Sequence, residues 1–304
     1  MEDIIIIGGG PAGLTAAIYA QRAGKQCLVI EAGAFGGQII TTSNVVNYPG
    51  IKSFAGADFA MELYNQAKDF GAKFKTAKVV GIDLDADIKI VKTNKGDFQA
   101  KAVIIATGAS SRPLGLENEN KFLGKGVSYC ATCDGAFYKG KDVAVVGGGN
   151  AAIEEALYLS DICKKVYLIH RRNEFRAAET VVEALRQKEN VEFVLEANVT
   201  DLQGDKTLEK IEVTKNSGEK IELEISGLFV AVGQVPSNNA FANVLKLDKI
   251  GYVVAGEDCK TEIPGIFVAG DCRTKSLRQL VTAESDGAIA AIESISFLNQ
   301  IAQK

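Results

Sequence analysis

Two stretches of the chain repeat the same order of hydrophobic and polar positions. Residues 4–7 are four isoleucines, followed by three glycines, an Ala-rich stretch of helical character and a second apolar run at 27–30. The second copy aligns with the first without a gap: the apolar run 143–146 is followed by three glycines, an Ala/Leu-rich stretch and the apolar run 166–169. Short runs rich in β-branched residues are typical of buried parallel strands. The pattern therefore predicts two β-turn-α-β units.

Three further apolar runs, at 102–108, 227–233 and 265–271, end in small residues and indicate the domain order. The first two each complete one β-turn-α-β unit. The third has no Gly-rich unit before it, so it has to complete the first domain. We expect an α/β fold of two Rossmann-like, three-layer nucleotide-binding domains. The first is discontinuous, at 1–112 and 244–304, and the second, at 113–243, is inserted into it, with turn-rich linkers at the crossings.

Composition excludes several classes of protein. The 304 residues are 47 % hydrophobic and carry a net charge of −4, an ordinary globular profile without the basic excess of a nucleic-acid binder. A basic leader and an apolar run of about 18 residues are both absent, so we expect no membrane span and a cytoplasmic location. His170 is the single histidine, which excludes zinc sites built on two or three histidines. No metal is expected.

The glycine spacing in both turns points to dinucleotide binding. In G-x-G-x-x-G the first glycine, Gly8, permits the bend, and Gly10 lets the backbone approach a pyrophosphate. Gly13, or Ala152 in the second copy, lets the helix pack close to the strand. The helix N-terminus then presents free N–H groups to the phosphates. One such motif is weak evidence, whereas two in register with a strand and a helix in place are strong evidence.

The residue that ends the second strand differs between the copies. Glu31 follows the glycine turn at close to the spacing, about 20 residues, that is typical of a carboxylate binding a ribose hydroxyl, and so suits FAD or NAD. The second copy has His170 there, followed by Arg171, Arg172 and Arg176, where the 2′-phosphate of NADP would lie. A solvated basic turn is the alternative. The arginines lie at a position that the fold fixes relative to the glycine turn, and this favours NADP binding over a solvated turn.

Cys130 and Cys133 form a C-x-x-C pair just before the second nucleotide-binding strand. Such a pair can close and open a disulfide, one thiolate attacking a partner disulfide and the second resolving the mixed disulfide. Asp134 is the nearest candidate acid for the leaving thiolate. A zinc half-site would need about four ligands, and no second Cys pair exists. Inert buried thiols are the other alternative.

These motifs together resemble the low-molecular-weight thioredoxin reductases over nearly the whole chain. The most specific strings are C-A-T-C-D at 130–134 and H-R-R-N-E-F-R-A at 170–177, beside the two glycine turns. The resemblance implies a homodimer that transfers electrons from NADPH through FAD and the Cys130–Cys133 pair to thioredoxin. Cys133 would exchange electrons with the flavin, Cys130 would attack thioredoxin, and Asp134 would handle the proton.

The resemblance also implies the cofactor residues. For FAD these are Gly8, Gly9, Gly10, Pro11, Ala12, Gly13, Glu31, Gly37, Gln38, Asn47, Thr107, Gly108, Gly270, Asp271, Arg278, Gln279 and Leu280. Asp271 would lie near the ribityl chain. For NADPH they are Gly147, Gly149, Asn150, Ala151, His170, Arg171, Arg172 and Arg176.

Two other functions stay open at this point. The same core could reduce another acceptor, such as a peroxiredoxin-linked carrier or a glutaredoxin-like protein. A nucleotide-binding redox sensor without turnover is a third possibility, which the intact C-x-x-C-D and the two nucleotide motifs disfavour.

Overall fold

The computed structural model of the chain describes residues 1–85 and 87–303. The helices in chain order are α1 (Pro11–Arg22), α2 (Gly56–Asp69), α3 (Glu119–Phe122), α4 (Ala131–Asp134), α5 (Asn150–Ser160), α6 (Glu179–Arg186) and α7 (Leu280–Ile301). The strands are β1 (Glu2–Ile7), β2 (Cys27–Glu31), β3 (Lys73–Thr76), β4 (Val79–Asp85), β5 (Ile88–Thr93), β6 (Gly96–Ile105), β7 (Ala109–Ser111), β8 (Val127–Ser128), β9 (Asp142–Val146), β10 (Lys165–His170), β11 (Val191–Leu195), β12 (Ala197–Gln203), β13 (Lys210–Lys215), β14 (Lys220–Glu224), β15 (Gly227–Val230), β16 (Gln234–Pro236) and β17 (Ile266–Val268).

The chain divides into two compact units. Unit 1 contains Met1–Ser110 and the segment from Val235 onward, and unit 2 contains Ser111–Gln234. Unit 2 is therefore an insertion in unit 1. The sequence predicts crossings at 112/113 and 243/244. The structure puts the first two residues earlier, at 110/111, and the second at 234/235, so residues 235–243 belong to unit 1. The reason is burial, because Asn238 and Phe241 are 0 % and 1 % exposed within unit 1.

The sheet of unit 1 has seven strands in the order β3-β2-β1-β6-β5-β4, with β17 also paired to β6. β6 pairs with antiparallel β5 along its first half and with parallel β17 along its second. Along β1, Ile4 and Ile6 face the core beneath α1 and α7, whereas Ile5 and Ile7 face the core shared with β17. Both faces are buried, as expected for parallel strands.

Unit 2 has a five-stranded parallel sheet in the order β11-β10-β9-β15-β8. Alternate residues of β9 face opposite sides. Val143 and Val145 pack toward α5 and α6, and Ala144 and Val146 pack toward the antiparallel sheet β12-β13-β14. The two layers around the central sheet give the expected three-layer α/β architecture.

The internal repeat is confirmed by strand register. In unit 1, Ile4 pairs with Cys27, and in unit 2, Val143 pairs with Val166, which are the equivalent positions of the two copies. The neighbouring strand on the other side is also equivalent, since β6 is parallel to β1 and β15 is parallel to β9. Each unit therefore brings its glycine turn to the carboxyl ends of its parallel strands, where α/β folds bind ligands.

Candidate functional site: two glycine turns and a redox-active disulfide

The first glycine turn connects β1 to α1 in unit 1. Gly8 has φ +110°, and a Cβ there would come within 2.2 Å of the Ala106 carbonyl oxygen. A Cβ on Gly13 would lie 1.9 Å from the Gly8 carbonyl oxygen, so the helix packs directly on the turn. A Cβ on Gly10, in contrast, would meet only the Gly37 Cα, at 3.6 Å. Gly8 and Gly13 serve packing, and Gly10 faces open space.

The start of α1 is suited to an anion. Gly10 is the N-cap, Pro11 follows it, and no described side chain caps the helix or adds an acidic group to its first turn. The free N–H groups and the positive end of the helix dipole therefore lack a protein anion. This donor set, with the open face of Gly10, fits a dinucleotide pyrophosphate.

Glu31 lies beside this turn and holds it. Its Oε2 accepts the Gly9 N–H at 2.8 Å, and its Oε1 accepts the Gly33 N–H at 2.7 Å. Carboxylate oxygens have two lone pairs each, so Glu31 can accept a ribose hydroxyl as well. The structure thus gives Glu31 a turn-fixing role that sequence spacing did not reveal.

Two other segments of unit 1 carry the predicted flavin residues. Gly37 begins a 3₁₀ turn, Gly37–Thr41, and Gln38 Nε2 donates to the Ala109 carbonyl oxygen next to Thr107 and Gly108. Asn47 Nδ2 donates to Gln279 Oε1 at 3.1 Å. The structure therefore brings Asn47 and Gln279 together from positions 232 residues apart.

Asp271 lies in the 3₁₀ turn Gly270–Cys272. Its Oδ1 is buried and has no hydrogen-bond partner among the described residues. Burial raises the pKa of this carboxyl, and Lys275 and Arg278 oppose the increase. Arg278 donates to the Asp271 carbonyl oxygen at 3.3 Å and lies over the Tyr252 ring, 4.1 Å from its centroid, two residues before Leu280 begins α7. A buried acceptor of this kind fits a ligand hydroxyl group.

Two residues of unit 1 that the sequence did not single out lie among these segments. Asn238 is fully buried, and its Nδ2 donates to the carbonyl oxygens of Gly251 (2.9 Å) and Cys272 (2.7 Å). Its Oδ1 lies 3.1 Å from Thr107 Oγ1, so it ties two predicted flavin segments together. Glu284 accepts the Tyr48 hydroxyl at 2.7 Å, and its second oxygen is buried without a described partner. No sequence pattern distinguishes either residue.

The second glycine turn connects β9 to α5 in unit 2. A Cβ on Gly147 would lie 2.4 Å from the Ala231 carbonyl oxygen and 2.6 Å from the Ala152 Cβ. A Cβ on Gly149 would meet no atom within 4 Å. Gly149 is the N-cap of α5, and no described side chain caps this helix. Asn150 and Ala151 follow it, and Asn150 Oδ1 accepts the Ala178 N–H at 3.0 Å. The turn repeats the features of the first.

The arginine segment lies against this turn. The Arg176 N–H donates to the Gly148 carbonyl oxygen at 2.7 Å, and Gly149 forms a parallel bridge with Arg176. Arg171, Arg172 and Arg176 are all exposed, and within the described chain no acidic side chain forms an ion pair with them. The three predicted 2′-phosphate ligands are therefore together at the second turn. A basic cluster without a protein counter-ion fits a phosphate.

His170 is a packing residue in this turn. Its ring is 9 % exposed and stacks on Phe175, with the ring centroids 5.4 Å apart. A Cβ on Gly148 would lie within 2.4 Å of three ring atoms. Burial lowers the pKa of His170, a hydrogen bond to the Glu174 carbonyl oxygen opposes this, and the nearby arginines lower it further. The imidazole is therefore neutral at pH 7 and packs against the backbone of the glycine turn at Gly148.

The C-x-x-C pair forms a disulfide in unit 2. Cys130 is the N-cap of the short helix α4, and its Sγ is bonded to Cys133, with the Cα atoms 5.3 Å apart. The Cys133 N–H points at the Cys130 Sγ at 3.2 Å. A backbone N–H directed at a sulfur stabilises the thiolate that forms when the disulfide opens.

Asp134 lies beside the disulfide and is linked to it through Ser128. The Ser128 hydroxyl donates to Asp134 Oδ2 at 2.6 Å, and Ser128 Oγ accepts the Cys130 N–H at 3.1 Å. Burial raises the pKa of the Asp134 carboxyl, and the Ser128 hydrogen bond partly opposes this. A half-buried carboxyl with a raised pKa is a suitable proton donor for a leaving thiolate. Ser128 was missed because a lone serine in a two-residue strand gives no sequence signal.

Glu155 on α5 is a second buried carboxyl near α4. Burial raises the pKa of Glu155 to about 7, and the backbone N–H of Ala131 partly opposes this. Its Oε2 is buried with no hydrogen-bond partner in the described chain. Ala152, Ala156 and Leu159 of the same helix lie in the core with Ala131. Glu155 is thus an ionisable residue on the apolar face of α5, and this break in the helical pattern is a signal that can be read from the sequence.

Residues 2–287 match the family described as Pyridine nucleotide-disulphide oxidoreductase. The chain belongs to this family, and it is an oxidoreductase. Membership implies the use of a flavin and a pyridine nucleotide.

Within that family, the chain is similar over nearly its whole length to thioredoxin reductases, which confirms the resemblance drawn from the motifs. The thioredoxin reductase of Peptoclostridium acidaminophilum is 42 % identical, covering 97 % of this chain and 96 % of that protein. That of Bacillus subtilis is 41 % identical, covering 95 % and 92 %. The crystal structure of the Streptococcus pyogenes thioredoxin reductase matches with a TM-score of 0.95 at 38 % identity, covering 99 % of both chains.

Proposed function

We propose that this chain is a thioredoxin-disulfide reductase that uses NADPH and FAD. The observation that carries the proposal is the Cys130–Cys133 disulfide, at the start of a helix and linked through Ser128 to the carboxyl of Asp134. The relatives named thioredoxin reductase support the choice of substrate. The function contributes to cell redox homeostasis.

FAD is assigned to unit 1 and NADPH to unit 2. A flavin dinucleotide needs donors and acceptors of this kind: the N-terminal N–H groups of α1, the carboxylate of Glu31, and the buried Oδ1 of Asp271, which has no partner among the described residues. In unit 2 the arginines at 171, 172 and 176 favour NADPH over NADH because they match a 2′-phosphate. When bound, FAD supplies the step from the two-electron donor NADPH to the disulfide.

The thiol chemistry is carried by this chain's own residues. Two electrons and two protons convert the Cys130–Cys133 disulfide to two thiols. The Cys130 thiol then loses its proton to solvent, and its thiolate attacks one sulfur of the thioredoxin disulfide, so that a mixed disulfide forms and one thioredoxin thiolate leaves. Asp134 gives that thiolate its proton and regains one from solvent. The Cys133 thiol loses its proton to solvent, and its thiolate attacks Cys130 Sγ, which restores the internal disulfide; the second thioredoxin thiolate leaves and takes a proton from solvent.

The test is direct. The purified protein is expected to be yellow, or to become yellow when FAD is added, and to oxidise NADPH in the presence of oxidised thioredoxin. NADH should be a much poorer donor. A colourless protein that does not take up FAD, or one whose NADPH oxidation does not depend on a thioredoxin, would contradict the proposal.

A different disulfide acceptor is the second candidate, because the same core could serve a peroxiredoxin-linked carrier or a glutaredoxin-like protein. A panel of thioredoxins and glutaredoxin-like proteins in the same assay separates these acceptors. Across residues 1–85 and 87–303, no helix combines the length and apolarity needed to cross a bilayer. A homodimer and a cytoplasmic location stay predictions from the sequence, which gel filtration and cell fractionation can test.

A further inference from the structure

A buried ionic cluster lies directly behind the turn that carries Asp271. Asp286 on α7 is its centre. The Asp286 Oδ2 accepts hydrogen bonds from Arg273 Nε (2.8 Å), Lys275 Nζ (2.8 Å) and the Gly270 backbone N–H (2.9 Å), and its Oδ1 accepts one from Arg273 Nη2 (2.9 Å). The three side chains are only 1 % to 5 % exposed. One carboxylate thus holds two buried cations and the first N–H of the turn.

The cluster has more positive than negative charge. Arg273 and Lys275 contribute two cations and Asp286 one anion. Glu257 reaches Arg273 at 3.5 Å, but its side chain is 90 % exposed, so water screens its charge. An uncompensated buried charge is costly. Asp271 is a further buried carboxyl within electrostatic reach: burial and Asp286 raise its pKa, and Lys275 and Arg278 lower it.

The position of the cluster links it to the proposed cofactor turn. Its hydrogen bond to Gly270 fixes the residue immediately before Asp271. Gly270 itself has φ +78°, and a Cβ there would come within 2.9 Å of Ala12 Cβ. Gly287, next to Asp286, packs against the Ala12 carbonyl oxygen, 2.2 Å from where a Cβ would lie. The cluster therefore joins the turn of Asp271 to the first turn of α1, where the pyrophosphate is proposed to bind.

We propose that Asp286, Arg273 and Lys275 form a positioning cluster for Asp271. They fix the Gly270–Cys272 turn, so that the Asp271 carboxyl is held in place as a preformed acceptor for the hydroxyl groups of the FAD ribityl chain. This inference rests on the proposed function, since it requires FAD in unit 1. It assigns roles to three residues outside the predicted cofactor contacts: Asp286 and Arg273 bond Gly270 of the turn, and Lys275 bonds Asp286.

A role in stability alone explains the cluster less well. Replacing a buried ion pair with apolar residues is often neutral or stabilising. The Asp286 bond to the backbone of Gly270 would also be unnecessary for pairing two cations. The presence of a buried ion pair and its bond to Gly270 are both explained if the Asp286 carboxylate holds the turn in one geometry.

The test measures FAD affinity of the full-length protein after its flavin has been removed. FAD is titrated into the parent, Asp286→Asn and Lys275→Met, and quenching of flavin fluorescence gives Kd. Glu293→Gln is the matched control, because Glu293 also lies on α7 and pairs with a lysine, Lys260, at 2.8 Å but on the surface. We expect Kd to rise at least tenfold in both cluster variants and to change less than twofold in the control.

Measuring FAD affinity against pH separates the proposed role from a purely structural one, which would not shift the pH dependence. The charged or titratable neighbours of Asp271 in the described chain are Lys275, Arg278, Asp286, Tyr252 and Cys272. Removal of the Lys275 charge raises the pKa of Asp271, so FAD affinity should begin to fall at a higher pH in Lys275→Met as the solution is acidified. Lys275→Arg, which keeps the charge, should restore the parent profile.

The possible results distinguish failure of this inference from failure of the proposed function. A lower melting temperature of the flavin-free protein with FAD Kd unchanged in both cluster variants would overturn the inference and leave the proposed function standing. Failure of the parent to bind FAD would overturn the proposed function and the inference with it. If Asp286→Asn does not fold, the comparison of Lys275→Met with Lys275→Arg decides.

Discussion

The Ser128 hydroxyl donates a 2.6 Å hydrogen bond to the Asp134 carboxylate, and the same oxygen accepts the N–H of Cys130 at 3.1 Å. One small side chain thus connects the proposed proton donor to the first cysteine of the disulfide. The bond to Asp134 favours the ionised carboxylate and opposes the rise in pKa that burial causes. Ser128 therefore sets how far the pKa of Asp134 rises.

Ser128→Ala should raise the pKa of Asp134 further, because it removes the hydrogen bond to the ionised form. Asp134 is proposed to act as an acid, so the reaction needs its protonated form and slows as the pH rises through this pKa. The basic limb of kcat/KM against pH for thioredoxin should move to higher pH. Ser160→Ala is the control, since the Ser160 hydroxyl donates to the Leu157 carbonyl oxygen of its own helix. A shift to lower pH, or none, would refute the proposed role.

Cys130→Ser should abolish reduction of thioredoxin, with turnover down by at least about a thousandfold, because the attacking thiolate is lost. NADPH should still bleach the flavin absorbance, since that step does not need Cys130. Cys163→Ser, at a buried cysteine outside the disulfide in the same unit, should leave turnover near that of the parent. Thioredoxin-dependent NADPH oxidation and the flavin spectrum measure the two steps, and retained thioredoxin turnover in Cys130→Ser would refute the assignment.

Replacing Arg171, Arg172 and Arg176 together with Ala should raise KM for NADPH at least tenfold. A hydrogen bond to a charged group contributes about 1.5–3 kcal/mol, and about 1.4 kcal/mol corresponds to tenfold. KM for NADH should change less than about twofold, because NADH has no 2′-phosphate. Arg186→Ala, an exposed arginine on α6 that pairs with glutamates, is the control. Equal effects on both nucleotides would mean that the three arginines are structural.

Glu155→Gln should stabilise the protein above pH 7. The pKa of Glu155 is about 7 in the folded chain against an ordinary 4.5. Between these values the unfolded chain loses its proton while the folded chain keeps it, so stability falls as the pH rises, by on the order of 1–3 kcal/mol in total. A neutral glutamine avoids this loss. The melting temperature should therefore rise by a few degrees at pH 8 and by less at pH 5.

The control for that measurement is the neighbouring glutamate. Glu154 lies on the same helix but is exposed, so Glu154→Gln should leave the melting temperature nearly unchanged at both pH values. An equal gain in both variants would show that helix charge, and not burial of Glu155, causes the effect.

Local sequence determined the two nucleotide turns. The apolar runs and the glycine spacing are short-range features, and each positions its strand, turn and helix through contacts within a single β-turn-α-β unit. The repeated register Ile4–Cys27 and Val143–Val166 follows directly from them. The same holds for the Cys130–Cys133 pair, since residues three apart at the start of a helix are within bonding reach.

The second crossing between the two units was harder to predict from the sequence. Residues 235–243 are rich in turn residues and resemble a linker, yet Asn238 is buried because its donors and acceptor are satisfied by Thr107, Gly251 and Cys272. These partners come from distant parts of the chain. The sequence does not show whether a polar residue such as Asn238 will have hydrogen-bond partners in the folded protein.

The sequence by itself thus determined the fold class, the two glycine turns, the arginine cluster and the dithiol pair, because each depends on spacing along the chain. Only the tertiary structure decided that His170 is buried against Gly148, that Ser128 connects Asp134 to Cys130, and that Asp286 gathers Arg273 and Lys275 behind Asp271. The physical reason is that burial and hydrogen-bond partners depend on which segments the folded sheet brings together. The charge of a side chain can be read from the sequence, but its pKa depends on these neighbours.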